Sequence, residues 1–157
     1  RNANIPVEVL QFRHFGDADH FDCFISSAVD KILAKNPRIV SFYTRCDTYH
    51  ISIKIAQCLK QLRKDIYIVY GGPQADLSAE DTLREIPEVD YICCGEGENT
   101  IVPFFNSLLA GQANHTIDGL VYRNGGNIVK NPRPQLIADL DTLPLIDYSF
   151  LDFQNET

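Results

Sequence analysis

The 157-residue chain is 45% hydrophobic and carries a formal net charge of −7 at pH 7, enough material for one ordinary domain with its own core. The acidic balance argues against DNA, RNA or an acidic membrane as partner, because nucleic-acid binding relies on basic side chains that displace counterions from phosphates; the one basic cluster, Lys60-Gln61-Leu62-Arg63-Lys64, reads as the solvated end of a helix. No run approaches the roughly 20 apolar residues needed to cross a bilayer, and no basic-then-apolar leader marks a secretory signal.

In chain order, Ile5-Pro6-Val7-Glu8-Val9-Leu10 reads as a strand, and His14 to Asp22 as a polar connection. Phe21, Phe24, Ile25, Ala28, Val29, Ile32 and Leu33 recur at helical spacing. Asn36-Pro37 ends that helix. Arg38 to Tyr43 is a short apolar run, as expected of a buried strand, and the loop Thr44-Arg45-Cys46-Asp47 follows it. Asp47 or Thr48 is placed to cap a helix carrying Ile51, Ile55, Cys58, Leu59 and Leu62. The strand Ile66 to Tyr70 runs into Gly71-Gly72-Pro73, and a weaker helix spans Ser78 to Ile86. The strand Val89 to Cys93 runs into Gly95-Glu96-Gly97-Glu98. A last helix opens at Asn99 or Thr100 with Pro103 in its first turn, and its apolar face is Ile101, Phe104, Phe105, Leu108 and Leu109. Asn124-Gly125-Gly126 between Gly119–Arg123 and Asn127–Lys130 signals a β-hairpin. Beyond Pro132 and Pro134 the tail from Leu136 to Thr157 reads as an extended arm.

Strand and helix alternate four times, which predicts an α/β fold with a parallel sheet and helices on both faces. Ligands of such sheets bind beyond the carboxyl ends of the strands. Three loops leave those ends: Thr44 to Asp47, Gly71 to Ala75 and Gly95 to Asn99. Gly71-Gly72-Pro73 alone is equally consistent with a plain strand-to-helix turn. In Gly95-Glu96-Gly97-Glu98, the dipole of the following helix accounts for an acid but not for two glycines. Acids flanked by bare backbone suit a ligand rich in hydroxyl and amide donors; a phosphate would be repelled. Neither a dinucleotide fingerprint nor a P-loop is present.

Catalytic signals are poor. His14, His20, His50 and His115 fall in separate segments, and Ser41 has no base beside it in sequence. Asp17-Ala18-Asp19-His20 lacks the D-x-H-x-x-G pattern of cobalt ligation. The cysteines Cys23, Cys46, Cys58, Cys93 and Cys94 contain no C-x-x-C pair, and read as reduced thiols of a cytoplasmic protein rather than as zinc or iron–sulfur ligands. The chain opens on Arg1 and holds no Met, and is read as part of something longer.

From about Pro37 to Leu109 the sequence resembles the cobalamin-binding domain at the N-terminus of B12-dependent radical SAM enzymes. The carrying segments are Pro37-Arg38-Ile39-Val40-Ser41-Phe42, Ile68-Val69-Tyr70-Gly71-Gly72-Pro73-Gln74, and Val89 to Thr100 with its Gly95-Glu96-Gly97-Glu98. Ile117 to Arg123 and Asp139-Leu140-Asp141-Thr142-Leu143-Pro144 continue it. The resemblance implies a Rossmann-like (flavodoxin-like) domain over residues 1–113, lacking a strand and helix that normally precede Ile5. It further implies a β-hairpin extension over 114–135 and a linker over 136–157 leading to a radical SAM domain.

It implies a corrinoid site lined by Tyr43, Thr44, Arg45, Gly71, Gly72, Pro73, Gln74, Gly95, Glu96, Gly97 and Glu98, with no protein histidine on cobalt. Tyr43 stands where the family often carries a small serine. A 4Fe-4S cluster and S-adenosylmethionine are implied only for the longer protein, since the C-x-x-x-C-x-x-C motif is absent from this chain. The alternative is a flavodoxin-like regulatory or interaction domain without a corrinoid.

Overall fold

The structure, a computed structural model, describes residues 5–12 and 20–145. Its five strands are β1 (Ile39–Tyr43), β2 (Tyr67–Gly71), β3 (Tyr91–Cys93), β4 (Leu120–Asn124) and β5 (Asn127–Lys130), in one sheet of that order. β1, β2 and β3 are parallel; β4 runs antiparallel to β3, and β5 antiparallel to β4. The hairpin is therefore a continuation of the sheet, in register from Cys93 opposite Leu120 to Asn124 opposite Asn127.

The helices are α1 (Phe21–Leu33), α2 (Tyr49–Leu62), α3 (Pro73–Leu77), α4 (Ala79–Glu85) and α5 (Ile101–Leu109). The two-residue period of the strands sorts the core into two layers. Ile68, Tyr70, Ile92, Cys94 and Val121 pack with Ile25, Val29, Ile55, Leu59 and Leu83 from α1, α2 and α4. Val69, Cys93, Leu120 and Tyr122 face the other way, onto Phe104 and Leu108 of α5. Strand order follows chain order from β1 to β3, so successive crossovers wind in one direction and place their helices on one face. The adjacent thiols Cys93 and Cys94 both end buried, one in each layer.

Two polar devices hold the amino ends of the strands. Asp90 accepts from Ile68 N at 2.7 Å and pairs with Lys60 Nζ at 2.7 Å, tying β2 to the start of β3 and to α2. Arg123, on β4, donates to the carbonyls of Leu83, Ile86 and Val89 at 2.8, 2.7 and 2.7 Å. It thereby caps the last turn of α4, where carbonyls lack intrahelical donors.

The helix expected over Ser78 to Ile86 forms as α4, flanked by Ser78 and Ile86, and a further short helix that was not expected, α3, precedes it. Helix starts immediately after Gly72 because Pro73 occupies the first helical position, where its missing N–H costs nothing. The strand expected over Ile5–Leu10 is not formed, and Val7 and Val9 stay exposed. An apolar cleft of about 950 Å³ is lined by this segment on one side and by β1 on the other, and among the described residues β1 has a strand on one edge only. Arm residues 146–157 and the loop residues 13–19, His14 included, lie outside the described residues.

Candidate functional site

The parallel strands end at Tyr43, Gly71 and Cys93, and the three loops that leave them form one end of the sheet. Thr44 joins the first loop to the second. It is buried; its N–H donates to Gly71 O at 2.7 Å and its Oγ1 to the same oxygen at 2.8 Å. Its Oγ1 accepts from Ala75 N at 3.0 Å, and its carbonyl from Gln74 N at 3.2 Å. One threonine thus satisfies two orphan amides at the start of α3.

Gly72 is required by this junction. Its φ is +93°, and a Cβ there would stand 2.7 Å from Thr44 O and 3.1 Å from the Tyr43 ring. Gly71, in contrast, would bring a Cβ no closer than 3.8 Å to Cys93 O. Tyr43 is 73% exposed at the end of β1, and Arg45 beside it pairs with Asp47 at 2.9 Å. Gln74 is half-buried and Pro73 exposed.

The third loop is built differently. Gly97 O accepts from Thr100 N and Ile101 N at 3.0 and 2.8 Å, which opens α5, and Thr100 Oγ1 reaches Asp118 O at 3.2 Å. Gly95 has φ +80°, and a Cβ on it would stand 3.1 Å from the Pro134 ring. Glu96 Oε2 accepts from Ile137 N at 3.0 Å. Glu98 is exposed. Among the described residues, the backbone amides of Gly95, Glu96, Gly97 and Glu98 have no protein acceptor. Consecutive amides on glycine-bared backbone at a sheet end make a donor-rich surface for a ligand's acceptors.

All eleven residues singled out from sequence lie at this end of the sheet: Tyr43 and Gly71 end β1 and β2, Pro73 and Gln74 open α3, and the rest are on the loops. Only Tyr43 of them also lines the cleft beside β1, whose remaining walls are residues 5–10, α1, α2, and Phe105 and Leu109 of α5. Sequence reasoning missed Asp76, Arg133, Pro134 and Ile137, which close around the second and third loops. The Pro-x-Pro break after the hairpin was their only trace.

Burial, and then Asp76 beside it, pushes the Cys94 thiol up to about 11; burial pushes Cys93 up to about 12. Neither is a nucleophile near neutrality. His50 stacks on Phe21 with ring centroids 6.2 Å apart, and His115 stacks on Tyr122 at 4.2 Å. No group of metal-ligating side chains occurs among the described residues, and none of the described helices is long and apolar enough to cross a membrane.

A family model described as the B12 binding domain matches residues 4–104. An uncharacterized methyltransferase of Pyrococcus horikoshii is 30% identical over 126 residues, covering 80% of this chain and 28% of the relative. An anaerobic magnesium-protoporphyrin IX monomethyl ester cyclase of Synechocystis is 27% identical over 131 residues, 80% of this chain and 26% of the relative. The chain therefore spans about a quarter of the length of these relatives. Among solved structures, the cobalamin-dependent S-adenosylmethionine radical enzyme OxsB superimposes with a TM-score of 0.61 at 19% identity, over 71% of this chain and 16% of that one. The radical S-adenosylmethionine methyltransferase TsrM of Kitasatospora setae, with cobalamin and a [4Fe-4S] cluster bound, gives 0.55 at 14% identity, over 77% and 23%. These two show that the fold is shared.

Proposed function

The chain belongs to the B12-binding domain family, and from that premise we propose that it is the corrinoid-binding module of a larger radical SAM enzyme, catalysing no reaction by itself. The family match supports this over a corrinoid-free regulatory domain. The observation that carries it is the open row of amides from Gly95 to Glu98 beside the Thr44–Gly72 junction. In this reading those amides donate to amide carbonyls on the corrinoid rim. Arg45 and Glu98, both exposed, supply a donor and an acceptor at the edge, and Tyr43 forms a wall. A bound corrinoid would supply a cobalt centre that can carry a methyl group.

The reading includes cobalt without a protein histidine. The missing D-x-H-x-x-G pattern supports this. It also includes a radical SAM domain, with its cluster and S-adenosylmethionine, following the arm. Leu136, Leu140 and Leu145 stand exposed along that arm, apolar surface suited to packing against a neighbouring domain. A cytoplasmic setting fits the cysteines, all unpaired, and stays part of the proposal.

We further propose that the cleft along β1 takes another parallel strand of the same polypeptide. β1 reads in sequence as a buried strand, yet among the described residues one of its edges has no partner, and Ser41 and Tyr43 are exposed. The cleft is walled by α2 on one side and α5 on the other, as a sheet interior is. Amide exchange on β1 should slow at least tenfold in a version extended upstream; unchanged exchange counts against the strand.

The test of function is co-elution. The protein, extended in both directions, is mixed with hydroxocobalamin, passed through gel filtration and examined by visible spectroscopy. A corrinoid spectrum travelling with the protein is expected, without the signature of histidine-bound cobalt. Protein eluting colourless overturns the reading.

A further inference from the structure

The chain leaving β5 crosses the ligand end of the sheet and is fastened at each step. Pro132 O accepts from Gly119 N at 2.7 Å. Arg133 Nη2 pairs with Asp76 Oδ1 at 2.8 Å, on α3 and just after the Gly72 turn. The Pro134 ring lies over Gly95 and Gly119, so close that a Cβ on either would meet it at 3.1 or 3.0 Å. Ile137 N donates to Glu96 Oε2 at 3.0 Å. A segment of six residues thus touches α3, which follows β2, and the loop after β3, and continues directly into the arm.

Gly95, one of the glycines that look like ligand-facing backbone, has this segment against it, and so does Gly119 at the start of the hairpin. Gly119 has no room for a side chain, since a Cβ would also stand 2.5 Å from Cys94 O. Glu96, one of the acids of the third loop, is engaged by the segment's own backbone. The carboxylate that would otherwise face a ligand fixes the position of the chain leaving the domain.

We propose that residues 132–137 are a strap that belongs to the corrinoid site, holding the Gly95–Glu98 amides in their binding arrangement and linking occupancy of that site to the docking of the outgoing arm. The inference rests on the corrinoid reading above. Arg133, Pro134 and Glu96 are positioning residues in it. If ligand and strap stabilise the same loop conformation, each favours the other by one common factor, because coupling between two binding equilibria is reciprocal. A strap that were only packing would affect stability and leave that factor at one.

The experiment uses the intact protein and the double variant Arg133→Ala/Pro134→Gly. Hydroxocobalamin affinity is measured by spectral titration, and amide exchange is followed at Ile137 and at Cys94, Thr100 and Ile101, whose amides are bonded to Gly119 O and Gly97 O, with and without hydroxocobalamin. The variant should exchange faster at Cys94, Thr100 and Ile101 without ligand, and bind hydroxocobalamin at least about fivefold more weakly. In the unsubstituted protein, saturating hydroxocobalamin should slow exchange at Ile137 by a matching factor. Should the double variant lose its far-ultraviolet circular dichroism, Arg133→Ala alone, on an exposed side chain, carries the same measurements, with Arg133→Lys expected to restore part of the affinity. Equal affinity in variant and parent, with the strap shown released by exchange, overturns the strap and leaves the corrinoid reading standing. Failure of the unsubstituted protein to bind hydroxocobalamin overturns both.

Discussion

Gly72 and Thr44 are in backbone contact across the junction of two loops: a single carbon added to Gly72 would stand 2.7 Å from Thr44 O and 2.9 Å from Thr44 N. Neither atom belongs to a flexible side chain that can swing aside. The φ of +93° and ψ of 172° at Gly72 also lie in a region that side-chain-bearing residues avoid. Gly72→Ala is therefore expected to destabilise the domain by about 3 kcal/mol or more. Gly125→Ala is the matched control. Gly125 also has positive φ, but nothing lies within 4 Å of its added carbon, so only the backbone penalty of about 1–2 kcal/mol applies. Urea unfolding midpoints compared at constant m value separate the two; equal losses would place the cost in the backbone alone.

Thr44→Val keeps the β-branched shape of the side chain and removes Oγ1. Two hydrogen bonds go with it, and Ala75 N is left buried without an acceptor. The expected loss is about 1–3 kcal/mol. Thr44→Ser keeps the hydroxyl and should recover most of it. Because the junction holds the first loop against the second, Thr44→Val is also expected to weaken hydroxocobalamin retention, while Thr44→Ser retains it.

The parts of this architecture that could be read from sequence are those whose signal is local. Amphipathic spacing from Phe21 to Leu33 and apolar runs at Arg38–Tyr43 and Ile66–Tyr70 place α1, β1 and β2 within a residue. The three loops follow from where those runs end. What stayed hidden depends on partners distant in sequence. Nothing around Pro134 announces that it covers Gly95 and Gly119, and nothing around Arg123 announces the carbonyls of Leu83 and Val89. Ile5–Leu10 has the composition of a strand, but a strand needs a neighbour, and composition cannot supply one. Gly95 and Gly97 illustrate the ambiguity of a glycine turn: Gly95 has φ +80° under a proline, while Gly97 opens a helix beneath the flexible end of Ile101.

The buried thiols set an alkaline limit. Unfolded cysteines titrate from about 9.0, whereas the folded chain keeps Cys94 protonated to about 11 and Cys93 to about 12. Below pH 9 the two states bind the same protons at these sites, so their contribution is fully present. Between pH 9 and about 11–12 the unfolded state releases protons that the folded state retains, so stability falls as pH rises. Urea midpoints recorded from pH 7.5 to pH 10.5 should be level at first and then decline, with the decline reduced in Cys93→Ala. A thiol reagent at pH 8 should modify exposed Cys23 and Cys46 promptly, and Cys93 and Cys94 only after unfolding. Prompt modification of the buried pair would contradict their placement in the two core layers.

Arg123 gives the last prediction, because a guanidinium does there what no other side chain can. Its Nε, Nη1 and Nη2 reach the carbonyls of Leu83, Val89 and Ile86 from a fixed plane, and burial lowers its pKa from the usual arginine value without discharging it. Those carbonyls close α4 and open the approach to β3, so the contact fastens the hairpin to the parallel part of the sheet. Arg123→Lys keeps the charge but offers one ammonium in place of a planar fork, and is expected to cost about 2–3 kcal/mol, close to the cost of Arg123→Ala. If lysine restored full stability, charge at the end of α4 would be the operative feature. Hydrogen exchange distinguishes the cases in a second way: loss of the fork should raise exchange across β4 and β5 and at the turn from Ile86 to Val89, leaving β1 and α2 unaffected.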